Sequence, residues 1–329
     1  MGKLLNKNES LQIKTWQPDR PVSRGSAAYH DAVANAPYYL ENLDELVRIV
    51  GPRIKEGDVV VDFGAGTGVS ALRLIKKLRI KFRLFLVDNS AAWLGKAHEI
   101  FSTNPDVRLF LLEKTGERYA TLAETVGEEA IDHVISANTL HLIPNLEYTF
   151  KGINAALKLK GTLTFQSGNI IRNRREKGIL MVDDTIKRVH DIALEIVRTD
   201  DRFLRYRKDL EKNIEIENSQ RKFVFPEPRE LETYMNALKA AGFECEEPHQ
   251  KLIKIAYKDW LNFLRVKRLQ AGILPEIGGK EPSQEEESDR DNLITIASNQ
   301  LFKELESGNP FADDNCFTTE WVYVTAVKK

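Results

Sequence analysis

The stretch VVVDFGAGTGVS, residues 59–70, constrains this chain more than any other part of it. A short β-branched apolar run reads as a buried strand. Glycines at 64, 66 and 68, directly behind it, read as a turn whose backbone lies close to a ligand and whose amides open at the start of the next helix. A buried strand feeding such a turn calls for a parallel α/β sheet with its ligand at the strand's carboxyl end.

The remaining pattern agrees. Strands at 59–63, 83–87, 107–112, 131–136 and 161–167 alternate with helices at 68–78, 90–101, 117–126 and 146–159, giving five β/α units of a doubly wound sheet. Ahead of them, YLENLDELVRIVGPRI carries helical spacing at Leu43, Leu46, Val47 and Val50 and stops at Gly-Pro. Behind them, residues 171–222 are charged and helical without a strand, which suits a solvated appendage, a substrate lid or a dimer arm. A helix that stops at Gly242 then leads into a strand, and a further helix is expected over 258–270. GGKEPSQEEESDRD reads as a mobile polar loop, and TTEWVYVTAVKK closes the chain as a strand. The expected fold is α/β, a doubly wound, mainly parallel sheet of seven strands whose last antiparallel hairpin comes from 243–256 and 318–327. The expected division is a cap segment at 1–50, a core at 51–170, a helical insertion at 171–222 and the rest of the core at 223–329.

Composition narrows the function classes. With 329 residues, 42% apolar, 29% charged and a net charge of −1, the chain is an ordinary globular protein with no electrostatic footprint for nucleic acid. Cys245 and Cys316 lack any ligand spacing, so neither a disulfide framework nor a metal site is expected, and a reducing cytoplasm fits. No apolar run approaches the roughly 18 residues of a membrane span, and the first twenty residues read as a frayed terminus.

The glycine spacing leaves two ligands to weigh. A dinucleotide turn wants G-x-G-x-x-G, whereas the spacing here is G-x-G-x-G. The acids favour the other ligand. A carboxylate ending the second strand, Asp88, is placed to accept both hydroxyls of a ribose, and Asp62 ahead of the glycines can hold an ammonium group. S-adenosylmethionine (SAM) has both a ribose and an amino-acid tail.

At this point the chain resembles the class I SAM-dependent methyltransferases, whose first motif is close to D-x-G-x-G-T-G; residues 62–68 read DFGAGTG. VDNSAAWL is similar to the second motif with Trp93 in place of methionine, VRLFLLEK ends on Glu113 where an adenine-contacting aspartate is common, and IDHVISANTLHLIPN and NAALKLKGTLTFQS are similar to the fourth-strand motif and the turn into strand five. The resemblance spans about residues 55–168, with departures at Leu142, Asn145 and Lys160. It implies SAM as cofactor, bound by Asp62, Phe63, Gly64, Ala65, Gly66, Asp88, Asn89, Trp93, Glu113 and Asn138.

Each residue also has a plainer reading. Trp93 can be core packing and Glu113 a solvated strand end. His141 can act as a general base or shape the pocket wall. His30, with Tyr29, Tyr38 and Tyr39, can line a substrate pocket or pack in the core. The basic groups at Arg172, Arg174, Arg175 and Lys177, and at Arg202, Arg205 and Arg207, can meet an anionic substrate or form a solvated face. SANT at 136–139 stands where an N-P-P-Y motif would mark exocyclic amine methylation of nucleic acid, so a small-molecule acceptor is expected, without membrane and with a possible homodimer. A SAM-binding regulatory or partner protein without methyl transfer is the alternative, and an NAD-dependent dehydrogenase a third.

Overall fold

A computed structural model describes residues 15–19, 24–308 and 315–329; the frayed-terminus expectation lies mostly outside them. The valine run forms β1 (Val59–Phe63), buried along its whole length. Next come β2 (Arg83–Asp88), β3 (Val107–Leu111), β4 (Ile131–Ala137) and β5 (Leu157–Ser167), then the short β6 (Phe243–Cys245), β7 (His249–Ala256) and the long β8 (Cys316–Lys328). The sheet order is β6-β8-β5-β4-β1-β2-β3, and β7 also pairs with β8. β1 to β5 are parallel, and β8 runs antiparallel to β5 on one flank and to β6 and β7 on the other. The expected final hairpin is thus present, with its edge split in two at Pro248, a residue that has no amide for the ladder. At the opposite edge the Trp16 amide donates to the Leu109 carbonyl of β3 over 2.8 Å.

Because side chains alternate along a strand, β1 feeds two layers: Val60 enters one buried cluster, and Val59, Val61 and Phe63 the other. The first cluster takes helices Pro37–Val50, Val69–Lys77, Ala91–Phe101 and Val182–Thr199, and the second takes Leu122–Val126, Leu146–Ala156 and Leu231–Ala240. The chain leaves β1 toward β2 and β3 on one side, while β4 and β5 lie on the other. Ligands of open α/β sheets bind above the carboxyl ends at such a switch point.

Three expectations are corrected. The helix expected over 117–126 begins only at Leu122, because Gly116 turns a small hairpin of Lys114–Thr115 with Arg118–Tyr119 ahead of it. The helix expected over 258–270 is two helices, Tyr257–Leu264 and Lys267–Ile273, parted at Val266 by extended backbone. GGKEPSQEEESDRD is not all loop: a 25-residue helix, Gln284–Gly308, starts within it, with Glu285, Glu286 and Glu287 in the first turn where the helix dipole favours them. The Ser283 hydroxyl accepts the Glu286 amide and the Glu286 carboxylate accepts the Ser283 amide, a reciprocal cap. Residues 171–222 are helical over most of their length, and their first long helix packs into the core. Helix Val182–Thr199 buries Ile186, Val189, Ile192, Ala193 and Val197 in the first cluster, and the stretch after it exposes the apolar side chains of Leu204 and Ile216.

Among the described residues no helix is long and apolar enough to cross a membrane. The reciprocal cap predicts that Ser283→Ala lowers stability by about 1 kcal/mol, read as a reduced thermal midpoint with unchanged helical circular dichroism at low temperature.

Candidate active site

The three glycines of the turn behind β1 all have positive φ: +73° at Gly64, +55° at Gly66 and +82° at Gly68. They serve different ends. A Cβ on Gly64 would stand 2.1 Å from Thr139 Cγ2, and one on Gly68 2.6 Å from Phe101 Cε2, so these two make room for the protein itself. A Cβ on Gly66 would meet nothing within 4 Å. Of the three, only Gly66 has open space on its Cβ side among the described residues. The Thr139 hydroxyl donates to the Gly64 carbonyl over 3.1 Å, which ties the end of β4 to the turn.

Both expected acids are buried beside it. Asp62 is 0% exposed; the Ser70 hydroxyl donates to its Oδ2, while Oδ1 has no partner among the described residues. Burial raises its pKa to about 7 and the Asp88 charge adds to the rise, against the hydrogen bonds from Ser70 and the Ala71 amide. Asp88 is held by two amides, Gly66 N–H on Oδ2 at 2.9 Å and Ser90 N–H on Oδ1 at 2.8 Å. Burial raises its pKa too, and those amides with the nearby Arg268 charge oppose the rise.

From Trp93, on the helix behind β2, a chain of ring contacts runs into the first buried cluster. Trp93 meets the edge of Tyr29 at 4.7 Å between ring centroids, and Tyr29 meets Phe263 at 6.1 Å. Trp260 stacks on Phe263 at 5.0 Å and lies edge-on to Tyr38 at 6.1 Å. The Tyr38 hydroxyl and the Trp260 indole N–H are both buried without a partner among the described residues. Asn138, at φ +52°, and Tyr29 hydrogen-bond the Tyr39 hydroxyl. His30 Nδ1 lies 3.0 Å from Thr67 Oγ1 of the glycine turn, and burial followed by the Lys96 charge lowers its pKa.

The other expected residues divide. Phe63 and Ala65 are buried, and the Phe63 carbonyl accepts the Ser136 hydroxyl at 2.7 Å. Asn89 and Glu113 are exposed at the ends of β2 and β3. His141 sits on a turn after β4 whose carbonyls at His141 and Ile143 both accept from Arg229, at 2.9 and 2.7 Å. Its Nδ1 is 3.1 Å from Ser167 Oγ, and burial, with Arg229, lowers its pKa to about 4. The imidazole is therefore neutral near pH 7 and too weak a base to match that pH. Five of the basic groups make ion pairs within the chain: Arg172 with Glu320 at 2.7 Å, Arg175 with Asp184 at 3.3 Å, Arg205 with Glu285 at 2.6 Å, Arg202 with Asp200 and Arg207 with Asp201. Sequence reasoning missed Trp260, Phe263, Arg229 and Arg268. WLNF at 260–263 is an aromatic pair at helical spacing that a search for wall residues would have found, whereas the two arginines carry no local signal.

Residues 54–222 match the family model described as a methyltransferase domain. Of curated proteins, the highly reducing polyketide synthase calA of Penicillium decumbens is 30% identical over 110 residues, 33% of this chain and 4% of that protein. The hybrid PKS-NRPS synthetase poxE of Penicillium oxalicum is 26% identical over 124 residues, 37% of this chain and 3% of that protein. The chain thus spans only a few hundredths of the length of these relatives. Of solved structures, phosphoethanolamine N-methyltransferase 2 of Haemonchus contortus in complex with S-adenosyl-L-methionine matches with a TM-score of 0.51 at 17% identity, covering 92% of this chain and 56% of that one.

The Asp62 environment has a pH signature. Its folded pKa of about 7 exceeds the ordinary 3.8, so between these values the folded state holds a proton that the unfolded state has released. Stability without ligand should fall as pH rises from about 4 to about 7 and then level off. Denaturant unfolding at a series of pH values should show this fall in the wild type and a smaller one in Asp62→Asn.

Proposed function

The chain belongs to the methyltransferase-domain family, as a class I SAM-dependent methyltransferase, and from that premise we propose that its methyl acceptor is a small molecule received against the aromatic wall of Tyr29, Tyr38, Tyr39, Trp260 and Phe263. The observation that carries the reading is the character of this wall: it is aromatic, with two buried donors, in Tyr38 and Trp260, that are unpartnered among the described residues, in a chain whose net charge of −1 gives no electrostatic footprint for nucleic acid. That the curated relatives are by name polyketide and PKS-NRPS synthases agrees with it.

The residues fit the cofactor. The unpartnered Asp62 oxygen would take its ammonium group, directly or through water, the open space at Gly66 lets the backbone approach it, and the Asp88 carboxylate, already aimed by two amides, would take the ribose hydroxyls. Phe63, Gly64 and Ala65 shape the turn, Asn89, Trp93 and Glu113 flank the nucleoside end, and Asn138 borders the reacting end. When bound, the cofactor supplies an electrophilic methyl group on its sulfonium.

What the chain itself contributes is alignment and exclusion of water. Holding two reactants in register is worth up to about 7–11 kcal/mol, enough to make a strong base dispensable. His141, neutral and fixed by Ser167, then orients the acceptor as a hydrogen-bonding group, and His30 with Tyr38 lines the acceptor side. In this reading the cover over the site comes from helices Arg24–Ala34 and Tyr257–Leu264, not from 171–222. The outward apolar groups Leu204 and Ile216 support the dimer-arm role for that segment, and a chain with two cysteines and no ligand spacing suits a cytoplasmic location.

Incubation with methyl-labelled SAM and fractionated cell extract tests the acceptor class. Label is expected in the small-molecule fraction and lost with Asp88→Ala, whose cofactor affinity should drop by about 1.5–3 kcal/mol; label confined to nucleic acid or protein would contradict the proposal.

A further inference from the structure

Arg268 lies on helix Lys267–Ile273, far along the chain from the motifs of the methyltransferase core. That helix is anchored firmly. Leu269, Gln270 and Ile273 are buried, and the Gln270 side-chain amide donates to the Arg265 carbonyl at 3.0 Å and to Asp291 at 2.7 Å. Arg268 itself is exposed, with its guanidinium carbon 5.0 Å from the centroid of the Trp93 ring. Its charge acts on two further groups of the site, lowering the pKa of Asp88 and of Tyr29 against the larger effect of burial. The neighbouring cations are committed elsewhere: Arg265 pairs with Asp291 at 2.5 Å and Lys267 with Glu287. Among the described residues Arg268 has no ion pair, and what holds it is the Trp93 ring.

We propose that Arg268 is a cofactor-binding residue, presented by the C-terminal helices and held on Trp93, that grips the adenine nucleoside end of the cofactor. A guanidinium is planar and carries five donors, so it can both stack on a flat ring and donate to the acceptor nitrogens of a purine, whereas an ammonium group offers only a point charge. Asp88 selects the nucleoside end over the amino-acid end, because Arg268 faces the carboxylate that ends β2 and the helix behind it, whereas the unpartnered oxygen of Asp62 belongs to β1. The inference rests on the reading of Asp88 as the ribose acceptor. On this account Trp93 serves as a platform for the arginine as much as a contact of its own.

Calorimetric titration with S-adenosylhomocysteine and, by competition, with adenosine separates the possibilities. Arg268→Ala should weaken both ligands by the same factor, about tenfold, and leave the thermal midpoint of the ligand-free protein unchanged. Arg268→Lys should recover only part of the loss, since it restores charge without the plane. Wild-type affinity of Arg268→Ala for both ligands would overturn the proposal, and so would a loss confined to S-adenosylhomocysteine, which would place the contact at the amino-acid end. Asp88→Ala is the control: if it bound adenosine as tightly as wild type, the ribose reading itself would fall, whatever Arg268→Ala had shown.

Discussion

The carboxylate of Asp88, bonded at once by the amides of Gly66 and Ser90, is the constraint on which the site depends. One side chain ties the glycine turn behind β1 to the start of the helix behind β2, fixing two strand ends against each other. Hydrogen bonds to an ionised acceptor are worth about 1.5–3 kcal/mol each, which sets them against the cost of burying the acid. The turn can accept this tie because Gly66 adopts a φ of +55°, which an L side chain rarely takes. The β1 register does the rest, placing Phe63 beside Val87 so that the two carboxyl ends are level.

Two acids are thereby buried near each other, and the charge of Asp88 adds to the cost of ionising Asp62. Asp62 offsets that cost only in part, through the Ser70 hydroxyl and the Ala71 amide, and its Oδ1 has no partner among the described residues. Asp88 has amides and the more distant Arg268. A ligand with an ammonium group and vicinal hydroxyls answers both demands, and for that reason the same pair of residues that looks costly to the empty fold is suited to SAM. The aromatic wall answers a separate need. Its rings are apolar, and under the proposed reading the donors of Tyr38 and Trp260, unpartnered among the described residues, are the groups offered to the acceptor.

Much of this was legible in the chain. Five parallel strands, the glycine turn and both acids follow from local pattern, because each depends on residues within a few positions of one another. What was not legible depends on contacts across the chain. Nothing near Gly64 or Gly68 in sequence says that Thr139 and Phe101 fill the space beside them, so three glycines with three settings read as one motif. The helix Gln284–Gly308 was hidden by an acidic first turn that resembles a loop until its buried far end, at Leu293, Ile294 and Ala297, is counted with it. His141 stands just behind the fourth core strand in sequence, but its lowered pKa comes from burial and from Arg229, 88 positions away. Helix Val182–Thr199 looked like an appendage because its charges were more conspicuous than its buried stripe.

The central claim is that the free space at Gly66 is where the cofactor meets the backbone. Titration of S-adenosylhomocysteine into Gly66→Ala and Gly68→Ala, with thermal unfolding of each, tests it most directly. The account predicts that Gly66→Ala stays folded, with a modest loss of about 1 kcal/mol from its backbone angle, and loses measurable binding. Gly68→Ala should instead lose stability through its clash with Phe101. Wild-type affinity in a folded Gly66→Ala protein would contradict the account.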